Sequence, residues 1–252
     1  MSAKKGPAIP NVKGGYKPQT TSNVLTYVLV SVGLIAVAAL VIGGVVWNAN
    51  RTKAPSASNI DLNGPVTQGV SDMTFGAPNA PVTIEIYEDP LCPACGMFER
   101  SQGAAITAAI NEQKLRVRFR TLNFLNDASA SRDYSTRAGA ALQCVAGEKN
   151  QDVFLKFHSA LFEQQPQEQG SSDHSNEDLA NIAGTAGASE DTQRCIVKGA
   201  QVESAQQAAQ ESVKKLQAAS PGGVSTPSVL HNDTKIDHSN PNWLPQLLGG
   251  AQ

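Results

Sequence analysis

The sequence predicts an α/β fold that contains an inserted helical segment and is preceded by one transmembrane helix. Two runs rich in β-branched residues flank a helical pattern, which is typical of a strand–helix–strand unit. A long stretch rich in Ala, Gln, Glu and Lys interrupts the sheet pattern, and a long uncharged run lies near the N-terminus. With 252 residues, of which 40% are hydrophobic and 17% charged, the chain suits one or two packed units.

Residues 24–47 form the predicted transmembrane helix and read VLTYVLVSVGLIAVAALVIGGVVW, without a charge. As a helix this run spans about 36 Å, enough to cross a hydrocarbon core of about 30 Å. A cleavable signal peptide is the alternative, but its apolar core has about 7–15 residues, and no clear small-x-small cleavage site follows Trp47. We therefore expect an uncleaved membrane anchor.

The charge distribution predicts the orientation of this anchor. Residues 1–23 carry four lysines, whereas only Arg51 and Lys53 follow the helix closely, so the positive-inside rule places the basic tail 1–23 in the cytoplasm. Residues 48–70, with Asn, Ser, Ala and Pro, read as a linker to an exported domain over residues 71–252. Residues 54–252 hold 14 basic against 22 acidic residues, which excludes nucleic acid as an expected partner.

The exported domain begins with a predicted strand, residues 81–87 (PVTIEIY). After a turn at residues 88–91, Cys92 precedes Pro93, and proline is favoured at the first position of a helix, here one that continues to about residue 113. Cys92 is therefore the predicted N-cap. Residues 115–122 (LRVRFRTL) alternate apolar and basic side chains, which predicts a second strand and completes a βαβ unit.

The sheet pattern then pauses over residues 131–220, which show helical spacing and no convincing strand. We call this segment the helical insertion. Strand character returns at residues 224–230, and a turn at residues 231–233 with a short strand at residues 234–236 predicts a hairpin. A last helix is expected over residues 242–248.

Cys92 and Cys95 are separated by two residues at a predicted helix start, so they can form a disulfide. The unpaired N–H groups and the positive end of the helix dipole favour Cys92 as the thiolate, which is the attacking species in thiol–disulfide exchange. Cys95, one turn deeper, would then resolve the mixed disulfide. The sequence thus predicts a redox pair with Cys92 as the nucleophile.

Structural zinc is the alternative for the same spacing, and the four letters alone favour neither interpretation. A zinc site normally has a second closely spaced pair of ligands, whereas Cys144 and Cys195 lie far from Cys95 and from each other. His158, among Phe154, Phe157 and Phe162, is expected to be a packed core residue. We therefore assign no metal.

The motif YEDPLCPACGMFER, followed far downstream by VSTPSVL, resembles the DsbA-like members of the thioredoxin superfamily, especially the membrane-anchored forms of actinobacteria. The resemblance covers about residues 70–252. It implies a thioredoxin-like fold with an inserted α-helical domain, a cis-proline at Pro227 facing the active-site disulfide, and a backbone at Thr226 that pairs with substrate. Without the family, a trans edge-strand proline is the expected form, since about 5–6% of X–Pro bonds are cis.

Two positions depart from the family pattern. The active-site dipeptide is Pro93-Ala94 where the strongly oxidising members carry Pro-His, so we expect a less oxidising pair. The acidic residue that often lies six positions before the first cysteine is replaced by Ile86, with Glu85 and Glu88 on either side. Either glutamate is a candidate proton relay, although an exposed carboxylate near a loop is the commoner case.

Cys144 and Cys195 both lie in the helical insertion, and we expect a structural disulfide between them. An exported location permits such a bond, and related actinobacterial proteins are similar in carrying a second bridge. Two free buried cysteines are the alternative.

The sequence and the resemblance together predict a single-pass enzyme of the cell membrane. It would form disulfides in exported proteins that have free thiols. A membrane oxidase, by resemblance a VKOR-like protein, would regenerate the Cys92–Cys95 disulfide. No cofactor is expected, because the dithiol itself carries two electrons. The alternatives are a reductase or isomerase of the same fold, or a non-catalytic binding module held by two structural disulfides.

Overall fold

The computed structural model describes Leu62, residues 73–220 and residues 222–249. The predicted tail 1–23, the predicted transmembrane helix 24–47 and all of the predicted linker 48–70 except Leu62 lie outside the described residues. Among the helices of the described part, none combines the length and apolar character that a membrane crossing requires.

Five strands form one mixed sheet: β1 (Thr74–Phe75), β2 (Val82–Glu88), β3 (Leu115–Thr121), β4 (Ser228–His231) and β5 (Thr234–Ile236). Their order across the sheet is β1-β3-β2-β4-β5, with β2 in the middle. The neighbours β2 and β3 are parallel, while β1, β4 and β5 each run antiparallel to the strand beside them.

Seven α-helices accompany the sheet in the described residues, and five of them follow one another between β3 and β4. This arrangement confirms the α/β fold with helical content that the sequence predicted. The helices are α1 (Pro93–Asn111), α2 (Tyr134–Ala146), α3 (Gln151–Glu163), α4 (Asn176–Ala186), α5 (Glu190–Val197), α6 (Val202–Ala219) and α7 (Trp243–Gly249), with a 3-10 turn at Asn126–Ala128.

Side chains of β2 alternate between the two faces of the sheet, and different helices cover these two faces. Ile84 and Ile86 point into the main core, which also contains Phe98 of α1 and Phe157 of α3. Tyr87 lies on the other face, in a smaller core with Leu216 of α6. This alternation decides which side of the sheet each polar residue of β2 reaches.

Two strands differ from the sequence prediction. The strand β1 was not predicted, since two residues are too few to show a periodic pattern. The strand predicted from residue 224 begins only at Ser228, directly after Pro227, whose nitrogen has no hydrogen to donate to a sheet.

A disulfide joins Cys144 of α2 to Cys195 of α5, with 5.9 Å between the two Cα atoms. Both residues are completely buried in the main core. The bond ties together two helices of the helical insertion that are 51 residues apart in the chain.

Replacing both residues, Cys144→Ala with Cys195→Ala, is expected to lower the free energy of unfolding by about 4 kcal/mol, because the bond closes a long loop in the unfolded chain. Urea unfolding of the full chain measures this change. The unaltered protein in strong reductant serves as the control and should approach the variant. Equal unfolding free energies for variant and oxidised parent would contradict a structural role.

Candidate active site around Cys92 and Cys95

Cys92 is the N-cap of α1, as predicted, and has an extended backbone with φ −67° and ψ 117°. Pro93 follows within the first turn, where its missing N–H leaves no helical hydrogen bond unmade. Both Cys92 and Cys95 are free thiols. Cys95 is completely buried, whereas Cys92 keeps 8% of its surface exposed at the helix end. The sequence therefore places the two thiols in unequal surroundings.

The surroundings of Cys92 stabilise its thiolate. A hydrogen bond from the Cys95 thiol is the largest influence, and it outweighs burial, which acts in the opposite direction. The Thr226 side chain and the backbone N–H groups of Ala94 and Cys95 add further hydrogen bonds. Together they lower the pKa of Cys92 to about 5. Cys92 is thus a thiolate at neutral pH.

Cys95 has the opposite character. Burial raises the pKa of its thiol far above the ordinary value, and the hydrogen bond to Cys92 and the nearby Glu88 charge raise it further. Cys95 therefore holds its proton at neutral pH. It must give up that proton before it can attack a sulfur atom.

Thr226 faces Cys92 from the loop before β4, and Pro227 follows it in the chain. The peptide bond between them is cis, as the family resemblance implied and contrary to the trans form that the residues alone favoured. The carbonyl oxygen of Thr226 lies 3.6 Å from the Cys92 sulfur. The structure thus brings Thr226 together with the two predicted catalytic cysteines.

The two glutamates that flank Ile86 lie on opposite faces of β2. Glu85 pairs with Arg118 at 2.9 Å and with Arg120 at 3.2 Å, away from the cysteines. Burial opposes its ionisation, but hydrogen bonds from Tyr87 and these arginines lower its pKa to about 2. Glu85 is therefore an anchored ion-pair partner, and its position does not favour a relay.

Glu88 lies on the face that carries the redox pair and is only 4% exposed. An exposed carboxylate is the commoner case expected from the sequence, and for Glu88 this expectation is wrong. Residues of α1 and α3 cover this end of β2. Burial is the main reason that the pKa of Glu88 lies above its usual range. Its charge contributes to the raised pKa of Cys95.

His158 of α3 lies between two buried carboxylates. Its Nε2 is 2.9 Å from Glu88 Oε2, and its Nδ1 is 3.5 Å from Glu99 Oε2. Burial lowers the pKa of His158, but the two carboxylates outweigh it and raise the pKa to about 10. The expected core position is confirmed, yet the ring is a buried cation rather than an apolar filler.

Glu88, Glu99 and His158 are residue types that can bind a metal ion, and in the described part of the chain their ligand atoms lie within 4.8 Å of one another. Each of the two ring nitrogens, however, already has a carboxylate partner. A ring with a pKa of about 10 is protonated on both nitrogens at neutral pH and has no lone pair to offer a metal ion. The arrangement therefore fits an ion-pair network.

Sequence reasoning missed three supporting residues: Asp89, Glu99 and Gln165. Asp89 is completely buried and accepts hydrogen bonds from the backbone N–H groups of Leu91 and Leu125, each at 3.0 Å, and from the Ser135 hydroxyl at 2.6 Å. Burial raises its pKa to about 6. One signal was available for Glu99, namely a carboxylate on the apolar face of α1.

Comparison with known proteins places this geometry in a family. The family model described as Thioredoxin matches residues 68–248. The serine/threonine-protein kinase PknE of Mycobacterium tuberculosis is 38% identical over 212 residues, which cover 81% of this chain and 36% of the kinase. The chain therefore spans about a third of the length of that curated relative.

Solved structures of similar fold are named as thiol–disulfide enzymes. Disulfide bond oxidoreductase DsbG of Mycobacterium tuberculosis, in its reduced form, has a TM-score of 0.60 at 29% identity and covers 71% of this chain and 86% of its own. DsbA of the same organism has a TM-score of 0.60 at 28% identity, over 71% and 92% of the two chains. MdbA of Corynebacterium diphtheriae, a thiol-disulfide oxidoreductase, has a TM-score of 0.61 at 26% identity, over 77% and 98%.

These likenesses confirm the resemblance to DsbA-like proteins that the motif around Cys92 indicated. The family model extends over most of the chain and includes Cys92, Cys95 and Pro227. The protein belongs to the thioredoxin family.

Proposed function

We propose that this protein is a membrane-anchored, extracytoplasmic thiol:disulfide oxidoreductase that forms disulfides in exported proteins through Cys92 and Cys95. The observation that carries the proposal is the unequal placement of the two thiols. Cys92 lies at the N-cap of α1, where hydrogen bonds to its sulfur lower its pKa to about 5, while Cys95 is completely buried, which keeps it protonated. A stabilised Cys92 thiolate favours the reduced form of the pair, which makes the disulfide form an oxidant.

The reaction balances without a further group. A substrate thiolate attacks Cys92 Sγ of the oxidised pair, which forms a Cys92–substrate disulfide and releases Cys95 as a thiolate that takes up a proton. A second substrate thiolate then attacks the substrate sulfur, which forms the substrate disulfide and releases the Cys92 thiolate. The substrate loses two electrons and the enzyme gains them, until a membrane oxidase, such as a VKOR-like protein, removes them.

Glu88 is our candidate for proton exchange with Cys95, because both groups are buried and the charge of Glu88 acts on this thiol. Its Oε2 is held by His158, and within the described residues its buried Oε1 has no hydrogen-bond partner. Because His158 carries a positive charge between Glu88 and Glu99, the buried site can hold one carboxylate ionised and the other able to take a proton.

The surface around the redox pair supports protein substrates. Pro93 is exposed, Met97 is 59% exposed, and Phe124, next to a residue that packs on the cysteines, is 47% exposed. A contiguous apolar surface can mark an interaction site, and we propose that these side chains contribute to one. A substrate segment lying over them would place its sulfur at Cys92 and its backbone along Thr226.

The proposed location rests on the sequence of the N-terminal part and on the second disulfide. Residues 24–47 would anchor the chain, with the tail 1–23 in the cytoplasm and residues 48–70 as a linker. The buried Cys144–Cys195 bond favours an oxidising compartment, because disulfides persist there and are rare in the cytosol.

The first test concerns the reactivity of the two thiols in the full chain. The alkylation rate of Cys92 should rise through pH about 5 and level off by neutral pH, since only the thiolate reacts. Cys92→Ser should abolish disulfide transfer to a reduced, unfolded protein. Cys95→Ser should instead accumulate a mixed disulfide, visible by mass spectrometry. A rate that rises only near pH 8.5, as for an unperturbed thiol, would refute the proposed nucleophile.

The second test decides between oxidase and reductase. Ala94 supplies no cation beside Cys92, so we expect a reduction potential between the roughly −120 mV of DsbA and the roughly −270 mV of thioredoxin. Equilibration of the full chain with graded glutathione buffers, followed by alkylation and mass spectrometry, measures it. A value near that of thioredoxin would instead support the reductase alternative.

The third test concerns Glu88. Glu88→Gln should slow the attack of Cys95 on a mixed disulfide at least about tenfold, because an amide cannot accept the thiol proton. In the parent protein this rate should rise with pH through the pKa of Glu88, which burial raises, and the variant should lose that rise. Rapid-quench measurement of mixed-disulfide decay gives both quantities.

Glu85→Gln is the matched control, since the same change then falls on the opposite face of β2. It should leave the decay rate within about twofold of the parent. Equal effects of the two substitutions would argue against proton transfer through Glu88.

A further inference from the structure

Three residues of one segment of the helical insertion contact the redox pair or residues next to it. His158, Phe162 and Gln165 follow each other at spacings of four and three residues, which brings them to one side of α3 and its C-terminal extension. His158 binds Glu88, and Phe162 packs against Cys92 and Cys95. Gln165, two residues beyond the end of α3, has no part in the chemistry described above.

The side-chain amide of Gln165 donates two hydrogen bonds to the loop that carries Cys92. Its Nε2 is 2.9 Å from the carbonyl oxygen of Pro90 and 2.9 Å from the carbonyl oxygen of Cys92. An amide nitrogen has two hydrogens, so both are used. Because both partners are acceptors, they also fix which end of the amide faces the loop.

Gly96 leaves room for this amide. A Cβ atom added at Gly96 would lie 2.5 Å from Gln165 Oε1, which is closer than real Cβ contacts allow. The far end of the Gln165 side chain would have to move away. The absence of a side chain at Gly96 is thus matched to the position of Gln165.

The orientation of the Cys92 carbonyl group affects the geometry of the active site. It also accepts hydrogen bonds from the backbone N–H groups of Cys95 at 3.0 Å and Gly96 at 3.2 Å, so its direction sets the first turn of α1. The same turn presents the N–H groups of Ala94 and Cys95 to the Cys92 sulfur. Asp89 holds the other side of this loop through the Leu91 N–H.

We propose that Gln165 is a positioning residue through which the helical insertion sets the stability of the Cys92 thiolate, by holding the carbonyl groups of Pro90 and Cys92. The inference rests on the proposed redox function of Cys92. Gln165 fixes the carbonyl groups and Asp89 fixes an N–H group, so the segment before α1 is held from both sides. Loss of Gln165 releases the carbonyl side and weakens the alignment of the helix N–H groups with the sulfur.

The test compares Gln165→Met with Gln164→Met in the full chain. Methionine keeps the length of glutamine without its donors, and Gln164 is exposed one position earlier. The pKa of Cys92, followed by the ultraviolet absorbance of the thiolate against pH, should rise by about 0.5–1 in Gln165→Met, which is a threefold to tenfold change. The equilibrium constant for the oxidation of glutathione by the Cys92–Cys95 disulfide should fall by the same factor. A tenfold fall equals a reduction potential that is about 30 mV lower.

Gly96→Ala provides a second test that does not alter Gln165 itself. The added methyl group should displace the Gln165 amide and shift the Cys92 pKa in the same direction as Gln165→Met. In a Gln165→Ala background, where the amide is already gone, the same substitution should add no further shift. This pair of measurements also carries the test if Gln165→Met fails to fold.

Two different results would refute two different claims. If Cys92 of the parent protein has a low pKa but Gln165→Met and Gly96→Ala leave it at the value of Gln164→Met, the role of Gln165 is refuted and the proposed function stands. If Cys92 of the parent titrates as an ordinary thiol, the proposed function itself fails. Urea unfolding of each variant shows whether a shift in pKa accompanies a loss of stability, which a merely structural role would require.

Discussion

The hydrogen bond from the Cys95 thiol to the Cys92 thiolate is the interaction on which the rest of the site depends. It is the largest influence that lowers the pKa of Cys92, and it also helps to keep the proton on Cys95. Two chemically identical side chains, three residues apart, thereby differ in protonation: Cys92 is a nucleophilic thiolate and Cys95 a protonated thiol. The bond requires that one sulfur lie at the end of α1 and the other in its buried first turn.

The surrounding residues hold this asymmetry in place. Asp89 and Gln165 fix the backbone before α1, and His158 places a buried positive charge between two carboxylates. Buried charges are tolerated when they are paired, and the pairing here also decides which carboxylate can exchange a proton. The strand β2, the helix α1 and the segment around α3 each contribute at least one of these residues.

The sequence predicted much of this arrangement because the signals were local. The strand–helix–strand unit follows from alternation and from Pro93 at a helix start, and Cys92 is the N-cap as expected. The exposure of Glu88 was judged wrongly because burial depends on which helices cover the end of β2, and residues of α3 lie about 70 positions away in the chain. The residues alone also favoured a trans bond at Pro227, where the structure has cis.

The sequence by itself determined the α/β class, the redox motif at a helix start and the residues available for a second disulfide, because strand alternation, helix capping and cysteine spacing are properties of neighbouring residues. Only the tertiary structure decided that Glu88 faces the cysteines while Glu85 does not, that His158 is a buried cation and that Gln165 reaches the active-site loop. These outcomes depend on burial and on contacts between distant segments, and no local pattern encodes either of them.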